Sequence, residues 1–148
     1  MVFKFKIIEK KDWDLLLEWR NDTTTKMMSL VNQKISKSEH YNFLNNIESN
    51  KWIDQFIFIH NNFYVGTIKV DNTEKTFTRL SYTINPDFRK KGYGNLMMSM
   101  FLFDKKGTFV CEIKESNIGS IRMCESNNFK LKSEKENILI YEKVIKNE

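Results

Sequence analysis

Asn85-Pro86-Asp87-Phe88-Arg89-Lys90-Lys91-Gly92-Tyr93-Gly94 joins an alternating stretch to a helical one. Before it, Leu80, Tyr82 and Ile84 are apolar while Arg79, Ser81 and Thr83 are not, the period of a strand with one buried face. After it, a helical run opens at Asn95. A glycine-bearing loop feeding a helix start presents unpaired backbone N–H groups at the positive end of a helix dipole, a receptor for anionic oxygens, commonly phosphate. Gly92 and Gly94 let the main chain approach a ligand without a Cβ in the way. Arg89, Lys90 and Lys91 add positive charge at the same point. A basic turn that only caps a helix would have the same spacing.

Outward from this loop the chain reads as alternating strands and helices. Phe3, Phe5 and Ile7 alternate with lysines as a first strand, and Asp12 caps a helix through Trp13, Leu16, Leu17 and Arg20. Thr24 to Lys34 has no clear period and reads as loop or short helix. Ser36-Lys37-Ser38-Glu39 is a capping box for a helix with His40, Phe43, Leu44 and Ile47 on one face. Phe56–Ile59 and Phe63–Val70 flank a turn at His60-Asn61-Asn62, a hairpin signal. A second turn, Asp71 to Lys75, leads into Thr76–Asn85. Gly66 inside its strand indicates a close backbone approach, a bulge or a plain surface glycine.

The helix from Asn95 to about Lys105 is apolar nearly all round and belongs in the interior, its methionines acting as adaptable core filler. Lys105-Lys106-Gly107 is read as its C-terminal cap. Phe109–Ile113 is the next strand and Asn117 to about Asn127 the last helix. Lys132–Glu136 is a charged turn before a closing strand, Ile138–Lys143. Alternation in the fifth strand puts Glu112 with Val110 on one face and Phe109, Cys111 and Ile113 on the other. A carboxylate there is costly to bury unless paired, which favours a site residue over a glutamate reaching solvent at the sheet's end.

The 148 residues, 41% apolar and 29% charged, suit one domain spanning 1–148 with a sizeable core. No apolar run approaches the roughly 18 residues of a membrane span, and the N-terminus lacks the apolar core of a secretory signal. The net charge of +5 fits an acidic small-molecule ligand, solubility or a polyanion partner. No lysine/arginine run exceeds Arg89–Lys91, however, and no aromatic-interleaved basic stripe is present, so nucleic acid is not expected. Cys111 and Cys124 are expected as reduced thiols, and no metal site is expected.

Arg89-Lys90-Lys91-Gly92-Tyr93-Gly94 resembles the pyrophosphate loop of the GNAT N-acetyltransferases, Arg/Gln-x-x-Gly-x-Gly/Ala. Asn117 and Ser120 resemble that family's Asn-x-x-Ser, Asn128-Phe129 its closing Gly-Phe, and Glu112 stands five residues before Asn117, where many members carry a carboxylate. The order of elements agrees over roughly residues 3 to 143. The resemblance implies an α/β (α+β) fold with a mixed, mostly antiparallel sheet, splayed central strands and helices on both faces. It implies acetyl-CoA as co-substrate, held by Arg89 to Gly94, by Tyr82, Thr83 and Ile84 of the preceding strand, and by Asn117 and Ser120. A backbone N–H near Thr83 or Ile84 would polarise the thioester carbonyl, and Glu112 would accept the amine proton. Many relatives carry a tyrosine seven residues after the asparagine; here Cys124 stands there. The proton for the departing thiolate is left to Cys124, to another residue such as Tyr82, or to solvent.

Trp19-Arg20-Asn21 and Ser38-Glu39-His40 resemble acetyltransferases acting on nucleotide-activated amino sugars. Arg20 and His40 would then meet the nucleotide diphosphate, against readings as a helix-end cation and an amphipathic-face histidine. Acetyltransferases of the ribosomal-protein type are the rival within the family. A non-catalytic CoA- or polyanion-binding module is the rival outside it. The remaining expectations are a small-molecule amine as partner, a homodimer and a cytoplasmic location.

Overall fold

The lysine-phenylalanine alternation at the start folds as β1 (Phe3–Ile7), with Phe3 and Phe5 packed against the core. The computed structural model describes residues 2–31 and 33–146. Met1, Asn32, Asn147 and Glu148, each inside a span read from the sequence, lie outside the described residues. Three helices follow: α1 (Trp13–Asn21), α2 (Thr23–Met28) and α3 (Lys37–Ser49). Asp12 precedes α1 but does not cap it with its side chain. Its buried carboxylate instead accepts from Glu9 N at 2.9 Å and pairs with Lys6 at 3.1 Å. Ser36 does cap α3, its Oγ accepting from Glu39 N at 3.1 Å.

β2 (Ile53–His60), β3 (Phe63–Asp71) and β4 (Thr78–Ile84) run antiparallel in turn. Asn61 and Asn62, at φ 48° and 72°, make the two-residue turn whose twist suits a hairpin. Gly66 combines a close approach with a neighbouring bulge. The β2–β3 register slips beside it, between Phe58 and Ile59. A Cβ on it would lie 3.0 Å from both Thr83 O and Ile84 Cδ1. The chain then passes the loop into α4 (Tyr93–Leu102), β5 (Gly107–Lys114), α5 (Ile118–Ser126), β6 (Lys130–Lys135) and β7 (Ile138–Ile145). One seven-stranded sheet results, ordered β1-β2-β3-β4-β5-β7-β6.

Four readings are corrected. Lys130–Lys135 is an edge strand paired with β7, and the turn is Glu136-Asn137, at φ 51° and 68°. An exposed edge strand of lysine, serine and glutamate with a single leucine, Leu131, carries no apolar period, so only its pairing shows it. Helix α4 starts at Tyr93, because Gly92 is the left-handed residue at its N-cap. It ends at Leu102 and leaves Phe103 92% exposed. Gly107, at φ 115°, opens β5 instead of capping α4. Phe43 is 47% exposed, with the Lys69 ammonium 5.2 Å from its ring centroid.

The two faces of the sheet differ. Phe58, Ile68, Leu80, Phe109 and Cys111 pack with Met97, Met98 and Phe101 of α4 and Met123 and Cys124 of α5 in the main core. On the other face, α1 and α3 pack through Trp13, Leu44 and Ile47. Between them β4 and β5 run parallel and pair at only two positions, Thr78 with Phe109 and Arg79 with Val110. Beyond those pairs the strands part. The resulting cleft opens toward the loop that follows β4 and the helix that follows β5.

Candidate active site

The loop is held rigid from behind. Asn85 N donates to Val65 O at 2.9 Å, its Nδ2 to Tyr64 O at 2.9 Å, and its Oδ1 caps Asp87 N at 3.0 Å. After the single turn at Pro86–Phe88, Lys90 and Gly92 both take left-handed φ, 59° and 82°. Left-handed residues in alternation turn successive N–H groups to one side and form an anion-binding concavity. A lysine in that region is strained, and such strain gathers at functional sites. No side chain caps α4, and the first amide bonded at its start is Leu96 N, to Gly92 O at 3.1 Å. Among the described residues nothing takes the amides of Tyr93, Gly94 or Asn95, and a Cβ on Gly92 would meet nothing within 4 Å. The Tyr93 hydroxyl, 2.6 Å from His60 Nδ1, pins the helix start to β2. Lys90 and Lys91 are exposed beside these amides. Arg89 is not: its Nη2 donates to Asp22 Oδ2 and to Thr25 Oγ1, each at 2.5 Å. The set suits a diphosphate, with backbone amides as donors and two mobile cations at the rim.

Tyr82 and Ile84 turn from β4 toward α4 and α5, packing against the main core. The Tyr82 hydroxyl lies 2.7 Å from Ser120 Oγ. Burial pushes the phenol up to about 12, against the lowering effect of the Ser120 bond. Gly94 serves this ring as well as the loop, since a Cβ there would sit 3.5 Å from Tyr82 Cε2. Asn117 caps α5, its Oδ1 accepting from Ser120 N at 3.2 Å. Ser120 is buried, not a surface hydroxyl. Cys124 is 0% exposed; its thiol, beside that of Cys111, and burial push the Cys111 thiol well up. Both cysteines are free and lie in the core.

On the opposite face, Arg79 Nε donates to Glu112 Oε1 at 2.6 Å, and its Nη1 lies 3.9 Å from Asp71 Oδ2. Among the described residues the Glu112 carboxylate is bonded through Oε1 alone. Burial lowers the Lys69 ammonium, opposed by Asp71 and reinforced by Arg79. Arg20 Nη2 donates to Val31 O at 2.5 Å, while its buried Nη1 has no partner among the described residues, and burial lowers this guanidinium too. His40 is 7% exposed, its Nε2 donating to Trp13 O at 2.8 Å. Burial lowers that imidazole more than the Trp13 bond and Asp14 raise it. The ring is thus committed to the α1–α3 interface. Sequence reading missed Arg79, Asp71, Lys69 and Asp22. Strand parity alone would have put Arg79 on the face of Glu112.

The model of the acetyltransferase (GNAT) domain family matches residues 5–130. The chain belongs to the GNAT acetyltransferases. No curated protein matches it in sequence. A domain from Methanocaldococcus jannaschii superposes with a TM-score of 0.83 at 24% identity, over 97% of this chain and 99% of that one. Campylobacter jejuni N-acetyltransferase PseH, in complex with acetyl coenzyme A, superposes with a TM-score of 0.75 at 16% identity over 97% and 99%. Vibrio cholerae spermidine N-acetyltransferase, in complex with CoA and spermine, gives 0.80 at 10% identity over 95% and 92%. These likenesses show the fold. In this GNAT chain the parted strands, the amide-lined loop and the Arg79–Glu112 pair lie around one cleft, while Cys124 is packed beneath it.

Proposed function

We propose that this GNAT chain moves an acetyl group from acetyl-CoA to the primary amine of a nucleotide-activated amino sugar. The observation that carries the coenzyme is the concavity from Lys90 to Asn95, whose open amides and left-handed residues fit a diphosphate. Arg89, tied to Asp22, contributes through its remaining edge, and Lys90 and Lys91 through charge. Thr83 and Ile84, on the β4 edge left unpaired beyond Arg79, have main-chain groups to line the thioester arm as an added strand would. One of their N–H groups meets the negative charge that develops on the carbonyl oxygen. Asn117 Nδ2 and the Ser120–Tyr82 pair border the same arm.

Glu112 accepts the proton that the acceptor ammonium must lose before its nitrogen attacks, directly or through a water. Arg79 fixes the carboxylate by Oε1 and leaves Oε2 for that proton. The new C–N bond forms as C–S breaks, and the thiolate leaves along the cleft. Cys124, buried against Cys111, is poorly placed to protonate it, which leaves that step to Tyr82 or to solvent.

The acceptor class rests on charge. The face beyond Glu112 carries Lys69, Arg79, Lys114 and Arg20. Of the carboxylates on that face, Glu112 is held by Arg79, Asp71 lies beside the same guanidinium, and Glu142, opposite Val110, pairs with Lys132. A cationic acceptor such as a polyamine would meet these carboxylates already paired, whereas a phosphate-bearing sugar meets cations. Arg20, whose Nη1 has no partner among the described residues, is the foremost phosphate partner. Thiol release from acetyl-CoA, measured over nucleotide amino sugars, spermidine, an aminoglycoside and short peptides with free N-termini, tests this. Turnover is expected with the sugars. Best turnover with spermidine or a peptide would overturn the acceptor class, and no release with any amine would overturn the reaction.

A further inference from the structure

Helix α2 buries none of its six side chains, and Met27 in its last turn is 57% exposed. Apolar packing therefore does little to hold it, and polar ties take over. At its start Asp22 accepts from Thr25 N at 3.2 Å, capping the helix, and receives Arg89 Nη2 at 2.5 Å. The same Nη2 reaches Thr25 Oγ1. At its end Lys114 Nζ donates to Met27 O at 3.0 Å. Arg89 follows β4 and Lys114 closes β5, the two strands that part after Arg79 and Val110. The short helix thus spans the open end of the cleft, fastened to both arms.

The Arg89 tie is partly buried, with both side chains about a quarter exposed. Burial alone would raise the Asp22 carboxyl, but Arg89 and the Thr25 amide outweigh it and hold the carboxyl below the ordinary range. A guanidinium offers five N–H donors in a rigid plane. Among the described residues α2 uses only those of Nη2, so Nε and Nη1 remain for an anion in the loop. One planar group shared between Asp22 and a diphosphate cannot be fixed on one edge and loose on the other.

We propose that Asp22 is a positioning residue that, through Arg89, ties α2 to the phosphate loop, so that a diphosphate in the loop stiffens α2 across the cleft. Coenzyme would then firm the acceptor-side wall before the acceptor arrives. By reciprocity, loosening the tie weakens coenzyme binding by the same factor. The proposal rests on the acetyl-CoA reading for the occupant of the loop, and the two fail differently.

Hydrogen exchange of the full chain, with and without saturating coenzyme A, separates them. Coenzyme A is expected to slow exchange at the amides of residues 92–96 and also at 24–28. Asp22→Asn keeps a capping side chain but loses the charge; it should keep the effect at 92–96 and lose it at 24–28. Its dissociation constant for coenzyme A should rise by roughly 5- to 20-fold, within the usual range of coupling. Lys114→Met, which cuts the other tie, should quicken exchange at 24–28 with and without coenzyme. Protection at 92–96 with none at 24–28 in the unaltered protein would overturn the strap and leave the coenzyme reading standing. So would an Asp22→Asn protein that still protects 24–28. Protection at neither segment would overturn both.

Discussion

Gly92 is where the account is most exposed to a quantitative test. Its φ of 82° is left-handed, and a Cβ there would meet nothing within 4 Å. Alanine therefore adds backbone strain without a clash, about 1 kcal/mol, or a fall of about 2–4 °C in Tm for a chain of this size. Glutamate carries the same strain, so its Tm without ligand should match that of Gly92→Ala within about 2 °C. The variants should part on binding. A carboxylate held ~5 Å from each of two phosphate charges, at an effective dielectric constant of about 40, opposes binding by roughly 3 kcal/mol, near a hundredfold. Calorimetric titration of acetyl-CoA at low salt, paired with thermal unfolding, gives both numbers for each variant. The gap between them should narrow at higher salt as screening sets in. If Gly92→Glu bound acetyl-CoA within threefold of Gly92→Ala, the phosphates would not lie at this loop.

Three further outcomes are expected. Glu112→Gln should lower kcat/KM by about 10²-fold or more, the usual size of a lost general base, and leave the acetyl-CoA dissociation constant within about twofold; an unchanged rate at every pH would exclude Glu112 as base. Tyr82, raised to about 12 mainly by burial, contributes stability that is present below pH 10 and lost as pH rises from about 10 to about 12. Urea unfolding over that window should cost the native protein about 2 kcal/mol more than Tyr82→Phe, and parallel profiles would contradict the buried phenol. Gly66→Ala would press a methyl group to 3.0 Å from the Thr83 carbonyl oxygen. The loss should be about 1–3 kcal/mol by denaturant titration, and an unchanged midpoint would contradict that contact.

What was legible in the sequence depended on how local the determining physics is. The glycine loop that starts α4 follows from neighbouring residues, as do the Asn61-Asn62 turn and the Ser36 cap, and each stands where its local sequence put it. Even there the left-handed conformation of Lys90 was invisible, because a lysine does not advertise it. Strand β6 escaped because an edge strand exposed throughout needs no apolar pattern. Helix α2 has no buried face and no period to read; its placement depends on Arg89, 67 residues away. The Arg79–Glu112 pair depends on β4 and β5 meeting at Arg79 and Val110, a register set by the whole sheet. His40 sits on the buried face that its helical spacing indicated, but its bond to Trp13 needed the α1–α3 packing to be seen. Cys124 stands at the spacing expected of a proton donor, whereas its contact with Cys111 reflects the closeness of α5 to the sheet.

The claim beneath all of this is that bare amides at the start of α4 hold the diphosphate of acetyl-CoA. Following backbone amide resonances of the full chain while coenzyme A is added addresses it residue by residue. The largest shifts are expected at Gly92, Tyr93, Gly94 and Asn95, with smaller ones at Thr83 and Ile84. Saturation with those six unmoved, and shifts gathered elsewhere on the surface, would contradict it.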